Sequence, residues 1–407
     1  MMTNKKAPEI RFKNHEDNWK KTKFKELYKP NNEKNFDIKY NEEYIISVAN
    51  MYFKEDQKIT NLDYLKSYNI FKIGDIAFEG NKSQNYKYGR FVENTIGAGI
   101  VSHVFEVFTP ITEQYDLQFW KYYINNERVM QNVLRNSTKL TTMMSSLVKN
   151  DLLNQYLNVP NLIEQQKIGS LLSNIDTLIT SQELKLKKLQ TIKQSLLDKM
   201  FASNNERVPK IRFKGFEDSW KVHKILELAK FRRGSFPQPY GEEKWYSGPN
   251  AMPFVQVADV NEYLSLKKET KQKISQIAIP FSVFVPDKSI IVTLQGTIGR
   301  VALTKYDCYI DRTILYFSDY KKAIDKDMFA RLIKIKFQQE ALLAPGAVIK
   351  TITKQELNNF KLYLPNYDEQ QKIGLLLSNL DTLITNQETK LEKLNNIKKS
   401  LLDKMFC

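Results

Sequence analysis

The segment Glu164–Phe201 recurs as Glu369–Phe406, and about 33 of the 46 positions from Leu157 to Ala202 are identical in Leu362–Cys407. In the first copy Ile168, Leu171, Leu172, Ile175, Leu178, Ile179, Leu186, Leu189, Ile192, Leu196 and Met200 return every three or four residues, which marks one helical face. The second copy repeats the stripe with Ile373, Leu376, Leu377, Leu380, Leu383, Ile384, Leu391, Leu394, Ile397, Leu401 and Met405. Neither copy contains a proline, so each predicts one helix on the order of 55 Å long at about 1.5 Å per residue. Such a helix needs a partner. Burying around ten large side chains is worth roughly 1.5–3 kcal/mol each, and the obvious partner for one copy is the other. Gln182 and Gln387 interrupt the two stripes at equivalent places; they either form a buried amide pair that fixes register or reach solvent at the seam edge.

Packing explains matched apolar positions, but the copies also share Glu164/Glu369, Gln165/Gln370, Gln166/Gln371, Ser173/Ser378, Asn174/Asn379 and Asp176/Asp381. These identities predict that both helices show one polar face to two copies of one partner, related by an approximate twofold axis. The candidate partner-binding residues are Glu164, Gln165, Gln166 and Asn174, with Glu369, Gln370, Gln371 and Asn379. The alternative is a duplication kept uniform by gene conversion confined to the helices.

A second repeat extends the duplication to the half-chain. Pro8-Glu9-Ile10-Arg11-Phe12-Lys13, Glu16-Asp17 and Trp19-Lys20 return about 201 residues later as Pro209-Lys210-Ile211-Arg212-Phe213-Lys214, Glu217-Asp218 and Trp220-Lys221. Each half is therefore a start segment, a variable body of about 140 residues and a long helix. The divisions are 1–163, a first head; 164–202, a first spacer helix; 203–368, a short polar linker and a second head; and 369–407, a second spacer helix. Because a start segment follows the first long helix and the second ends the chain, the termini are expected to lie close together. The first body carries apolar runs at Tyr44–Val48, Asp75–Phe78 and Val101–Phe108; the second carries them at Phe254–Val257, Ser289–Leu294, Arg300–Leu303 and Thr313–Phe317. These predict strands between glycine-bearing turns, with helical patches at Leu117–Val133 and Lys326–Leu343. The fold class is α+β, with mainly β heads.

The 407-residue chain carries a net charge of +16, which suits an anionic partner such as nucleic acid, although a general richness in Lys, Asn and Ile weakens that signal. Two cysteines, Cys308 and Cys407, and three scattered histidines offer neither a disulfide framework nor metal-ligand spacing. No apolar run is long enough for a membrane span and no secretory signal opens the chain, so a cytosolic location is expected. Gly97-Ala98-Gly99 has Ser102 where a dinucleotide loop needs its third glycine, and Gly80-Asn81-Lys82-Ser83 lacks the spacing of a phosphate loop. No two prolines are adjacent, as an adenine methyltransferase motif requires, and no nucleophile–base arrangement stands out. A chain without catalysis, cofactor or metal is expected.

What the residues do suggest is binding. Asn81–Arg90 interleaves cations, amides and aromatics between two strands, suiting phosphates and base edges, and gives Lys82, Gln84, Lys87 and Arg90 as DNA-binding candidates. Lys139 is a further candidate in the first half. In the second half Phe231-Arg232-Arg233-Gly234 and Gln295–Arg300 have the same character, giving Arg232, Arg233, Gln295, Thr297 and Arg300, with Arg312 and Lys350 besides.

Two unlike bodies, each closed by a near-identical helix that opens Glu-Gln-Gln-Lys-Ile after a proline, resemble the DNA specificity subunits of Type I restriction-modification systems. Gly296–Leu303 and Gly99–Ser102 are similar to segments of that family's target recognition domains. The resemblance spans essentially the whole chain. It implies two target recognition domains, each reading one half of a split asymmetric DNA sequence, joined by two long helices packed as an antiparallel coiled coil that sets the gap. It also implies two docked methyltransferase subunits that bring S-adenosylmethionine, and two motor-nuclease subunits. A coiled-coil scaffold with two protein-binding heads is the other reading the sequence allows.

Overall fold

A computed structural model describes residues 7–55, 62–140, 144–202, 206–261, 263–343 and 354–407. They form two compact units, one of residues 1–183 with 389–407 and one of residues 184–388.

The first unit is built on an antiparallel four-stranded sheet in the order Tyr28–Asn31, Glu106–Pro110, Ile76–Glu79, Arg90–Glu93. Its start segment adds Lys20–Lys23, paired antiparallel with Tyr156–Val159 just before the long helix. Helices Leu117–Tyr123 and Glu127–Ser137 cover the sheet. The core between them is largely aromatic. Phe24, Tyr28, Phe91, Phe108, Phe119, Trp120 and Tyr123 are all buried, with Tyr115 stacked on Trp120 at 5.3 Å between ring centroids.

The second unit repeats the plan with different filling. Its sheet runs Ala229–Arg233, Ile314–Tyr320, Ile290–Thr293, Val301–Leu303, and Lys221–Lys224 pairs with Lys361–Leu364. One helix, Lys326–Leu343, takes the place of the pair in the first unit. The core here is mostly aliphatic, with Ile225, Leu228, Ile290, Val292, Val301, Leu315 and Ile333 around Phe317 and Phe329. A second four-stranded sheet, Gln272–Ile274, Met252–Val255, Cys308–Ile310, Val283–Val285, enlarges this head.

The long helices run Leu162–Met200 and Tyr367–Lys404, 39 and 38 residues. Each is capped by an asparagine: Asn161 Oδ1 accepts from Glu164 N–H and Asn366 Oδ1 from Glu369 N–H, both at 2.9 Å. Within the first unit, Ile168 and Leu172 share a core with Met405 and Phe406, while Asp176 pairs with Lys398 at 2.6 Å. Going back along one helix thus goes forward along the other, so the two pack antiparallel. The second unit shows the same arrangement, with Ile373 and Leu377 beside Met200 and Phe201 and Asp381 paired with Lys193 at 2.5 Å. Ile10 N–H also donates to Lys404 O at 3.0 Å, which brings the start segment against the end of the last helix.

Several expected elements come out differently. Only Ile46–Ser47 of the run Tyr44–Val48 is strand, because Asn41 caps a short 3-10 turn over Glu42–Tyr44. The run Val101–Phe108 is broken by a turn in which Phe105 N–H donates to Ser102 O, leaving strands Gly99–Val101 and Glu106–Pro110. The helical patch Leu117–Val133 is two helices, since Asn126 caps a new one by accepting from Val129 N–H. In the seam, Gln387 is buried and Gln182 half-buried.

Candidate nucleic-acid interface

The shared Glu-Gln-Gln-Lys-Ile-Gly run at the start of each long helix is a clamp inside its own unit. Glu164 is fully buried and accepts from Arg11 Nε and Nη2 at 2.6 and 2.8 Å and from Trp19 Nε1 at 3.2 Å. Glu369 does the same with Arg212, at 2.7 and 2.8 Å. Such bidentate charge-assisted pairs fix both position and angle, so the start segment is held to the helix. Gln165, also fully buried, accepts from Asp116 N–H at 3.1 Å and donates to the carbonyls of Gln114 and Pro160. Gln370 accepts from Asp325 N–H at 3.1 Å and donates to Pro365 O at 3.0 Å. Asp116 and Asp325 in turn cap the first head helix of their units, each accepting from a backbone N–H at 2.8 Å. The shared glycines complete the fit: a Cβ at Gly169 would lie 2.6 Å from Phe119 N, and one at Gly374 would collide with the Asp325 carboxylate.

These contacts correct the expectation that Glu164, Gln165, Glu369 and Gln370 face a partner. They are spent on holding head to helix. Gln166, Asn174, Gln371 and Asn379 are exposed, and beside them so are two leucines of the expected apolar stripe, Leu178 at 49% and Leu383 at 54%. Both helices therefore present Gln, Asn and Leu at three matched exposed positions, with Ser170 on one and exposed Leu375 on the other between the first two.

Asp176 and Asp381 also face inward. Asp176 accepts from Tyr122 OH at 2.6 Å and pairs with Lys398, while Asp381 bonds to Arg331 and pairs with Lys193. Each carboxylate thus ties a head helix to the opposite long helix. Burial, with the Asp176 carboxylate bond second, raises the Tyr122 hydroxyl well above its ordinary range. Beside each latch lies a cleft, about 600 Å³ in the first unit and about 430 Å³ in the second.

The DNA-binding candidates lie on the heads. Lys82, Gln84 and Lys87 are exposed on the loop between strands Ile76–Glu79 and Arg90–Glu93, and Lys139 is exposed on the hairpin Thr138–Leu140/Ser145–Leu147. Arg90 is different. Its Nε donates to Glu79 at 2.6 Å, its Nη2 to Ala49 O at 2.9 Å, and its guanidinium sits 5.0 Å from the Tyr86 ring, so it supports the loop from below.

In the second unit Arg232 and Arg233 are exposed at the end of their strand, and Arg233 Nε donates to Arg312 O at 2.6 Å, which joins two candidates. Thr297 is exposed and Gln295 half-buried in a loop that closes on Thr293, whose Oγ1 accepts from Arg300 N–H at 3.0 Å. Arg300 is half-buried, with Nη1 donating to Val260 O at 3.2 Å. Lys350 lies outside the described residues. Tyr240 and Gln256, bonded to each other at 3.1 Å, stand beside Arg312; neither is among the residues expected from sequence, where Gln256 only falls within the apolar run Phe254–Val257. Among the described residues no helix is long and apolar enough to cross a membrane.

Two heads of one sheet order on a repeated, antiparallel helix frame define the fold class of Type I restriction-modification specificity subunits. The S subunit from M. genitalium superimposes with a TM-score of 0.59 at 13% identity, over 98% of this chain and 99% of that one. The HsdS subunit from Thermoanaerobacter tengcongensis gives 0.51 at 16% identity, over 95% and 96%. Residues 217–396 match the family described as the Type I restriction modification DNA specificity domain. The putative type I restriction enzyme MjaX specificity subunit of Methanocaldococcus jannaschii is 25% identical over 70% of this chain, and the MjaIX specificity subunit of the same organism 24% over 46%. The aligned stretches span 66% and 44% of those relatives' own lengths. The fold is thus that of Type I specificity subunits, and residues 217–396 carry the match to their DNA specificity domain.

Proposed function

We propose that this chain reads a bipartite, asymmetric DNA sequence, one half with each head, and that the long helices dock two methyltransferase subunits and set the unread gap between the half-sites. The observation that carries the reading is the contrast between frame and heads. The clamp pairs Arg11–Glu164 and Arg212–Glu369, the latch carboxylates Asp176 and Asp381 with Lys398 and Lys193, and the exposed Gln166, Asn174 and Leu178 with Gln371, Asn379 and Leu383 recur at equivalent positions, whereas the heads share a sheet order and almost none of its filling. A like frame suits two copies of one partner; unlike heads suit two different half-sites. In this reading the chain does no chemistry itself. The methyltransferase subunits bring S-adenosylmethionine, and motor-nuclease subunits join through them.

The docking surface left by the clamps is centred on Gln166, Asn174 and Leu178, with Gln371, Asn379 and Leu383 as its counterpart. The mass of the complex purified with the methyltransferase subunit tests this. Two methyltransferases per chain are expected, one after Asn174→Arg or Asn379→Arg alone, and none after both. Undiminished binding by the double variant would refute the assignment of this surface.

A further inference from the structure

Tyr240 stands 46% exposed on the second head, its ring edge-on to the buried Phe236 with centroids 5.2 Å apart. The loop that carries it is pinned where Trp245 Nε1 donates to Pro239 O at 3.1 Å. Two side chains from separate elements converge on this ring. The Arg312 guanidinium lies 5.6 Å from its centroid, within cation–π range, and Gln256 Nε2 donates to its hydroxyl at 3.1 Å.

The backbone behind both is fixed. Gln256 N–H donates to the buried Asp259 at 3.0 Å, and the same carboxylate accepts from Lys271 N–H at 2.9 Å. Arg312 O accepts from Arg233 Nε, and the chain beside it packs so closely on Gly234 that a Cβ there would overlap the Asp311 carbonyl. Arg312 itself is exposed and Gln256 half-buried. An exposed, long side chain held in one orientation forfeits less freedom when it binds.

We propose that Arg312 and Gln256, presented on Tyr240, are base-reading residues of the second head: Arg312 takes guanine through O6 and N7, and Gln256 takes adenine through N6 and N7 on a neighbouring pair. The inference rests on the reading that this head binds duplex DNA in its major groove. The chemistry favours bases over phosphates. A guanidinium held beside an aromatic ring still offers the planar, two-donor fork that guanine O6 and N7 match. The amide, with one N–H given to Tyr240, still has an N–H and a carbonyl oxygen, the donor–acceptor pair that adenine complements and a phosphate does not.

The test uses the full chain with its methyltransferase subunit, expressed in a host lacking adenine methylation, with the modified sequences read by methylome sequencing. Arg312→Ala is expected to cut the preference for guanine at one position of one half-site by about 5- to 150-fold, the range for losing a bidentate pair. Arg312→Lys, which keeps the charge but not the fork, is expected to relax the same position. Gln256→Ala should relax an adjacent adenine position, and Tyr240→Phe, which keeps the ring, should soften only that one. In every case the other half-site and the gap stay as they were. An unaltered motif in these variants, or a uniform fall in methylation at all sites, overturns the proposal while leaving DNA recognition standing. A wild-type complex with no sequence-dependent methylation overturns both.

Discussion

Arg11 is the natural first target among single residues, because its removal strands the fully buried Glu164 carboxylate. Breaking a buried pair by deleting one partner typically costs about 3–5 kcal/mol. Urea unfolding of Arg11→Ala should show a loss of that order, largely relieved by adding Glu164→Gln, and a loss below about 1 kcal/mol would deny the clamp its role. A second residue sets a pH dependence. Burial raises the Glu93 carboxyl from 4.5 to about 9, against the hydrogen bond from Tyr115, which lowers it. Raised in the folded state, the group favours folding below its unfolded pKa and loses that contribution as pH climbs toward about 9. Glu93→Gln should therefore raise Tm at about pH 8 more than at about pH 5, and an equal effect at both would remove Glu93 as the cause. The inward turn of Glu164 and Gln165 was open to a sequence reader. Glu164, Ile168 and Leu172 are four apart, so the carboxylate sits on the apolar face. Identity between the copies showed that these residues matter; only the wheel position shows which way they point.

At the scale of elements, the long helices were almost wholly legible, since a stripe sustained without proline admits one reading. Their exact starts depend on Asn161 and Asn366, a capping signal that lies just ahead of the Glu-Gln-Gln run. The stripe overstated the seam, however. Leu178, Leu383, Ile192 and Ile397 keep the spacing and yet are exposed, because a seam between two helices is narrower than the apolar face each carries. The strands were less legible, as short apolar runs do not show where a turn such as Ser102–Phe105 interrupts them. A helix of 39 residues is about 58 Å long, and two heptads amount to about 21 Å. Deleting two heptads from both long helices is expected to shorten the unread gap in the methylated sequence by several base pairs and leave both half-sites intact. An unchanged gap would show that the helices do not set the spacing.

For the whole molecule, the duplication conveyed the architecture before any element was placed: two halves, like rods and unlike heads. It could not convey the common sheet order of the heads, because Phe24, Phe91 and Phe108 in one core and Ile290, Val301 and Leu315 in the other share no sequence pattern. Nor could it gather Arg233, Arg312, Tyr240 and Gln256, which come from separate elements. The central claim is that a frame of matched parts carries two different readers of DNA. Methylome sequencing of a host expressing this chain with its methyltransferase subunit tests it most directly. Two short, unlike specified blocks separated by a fixed run of unspecified bases are the expected result; a single uninterrupted block, or methylation without sequence preference, would contradict the account.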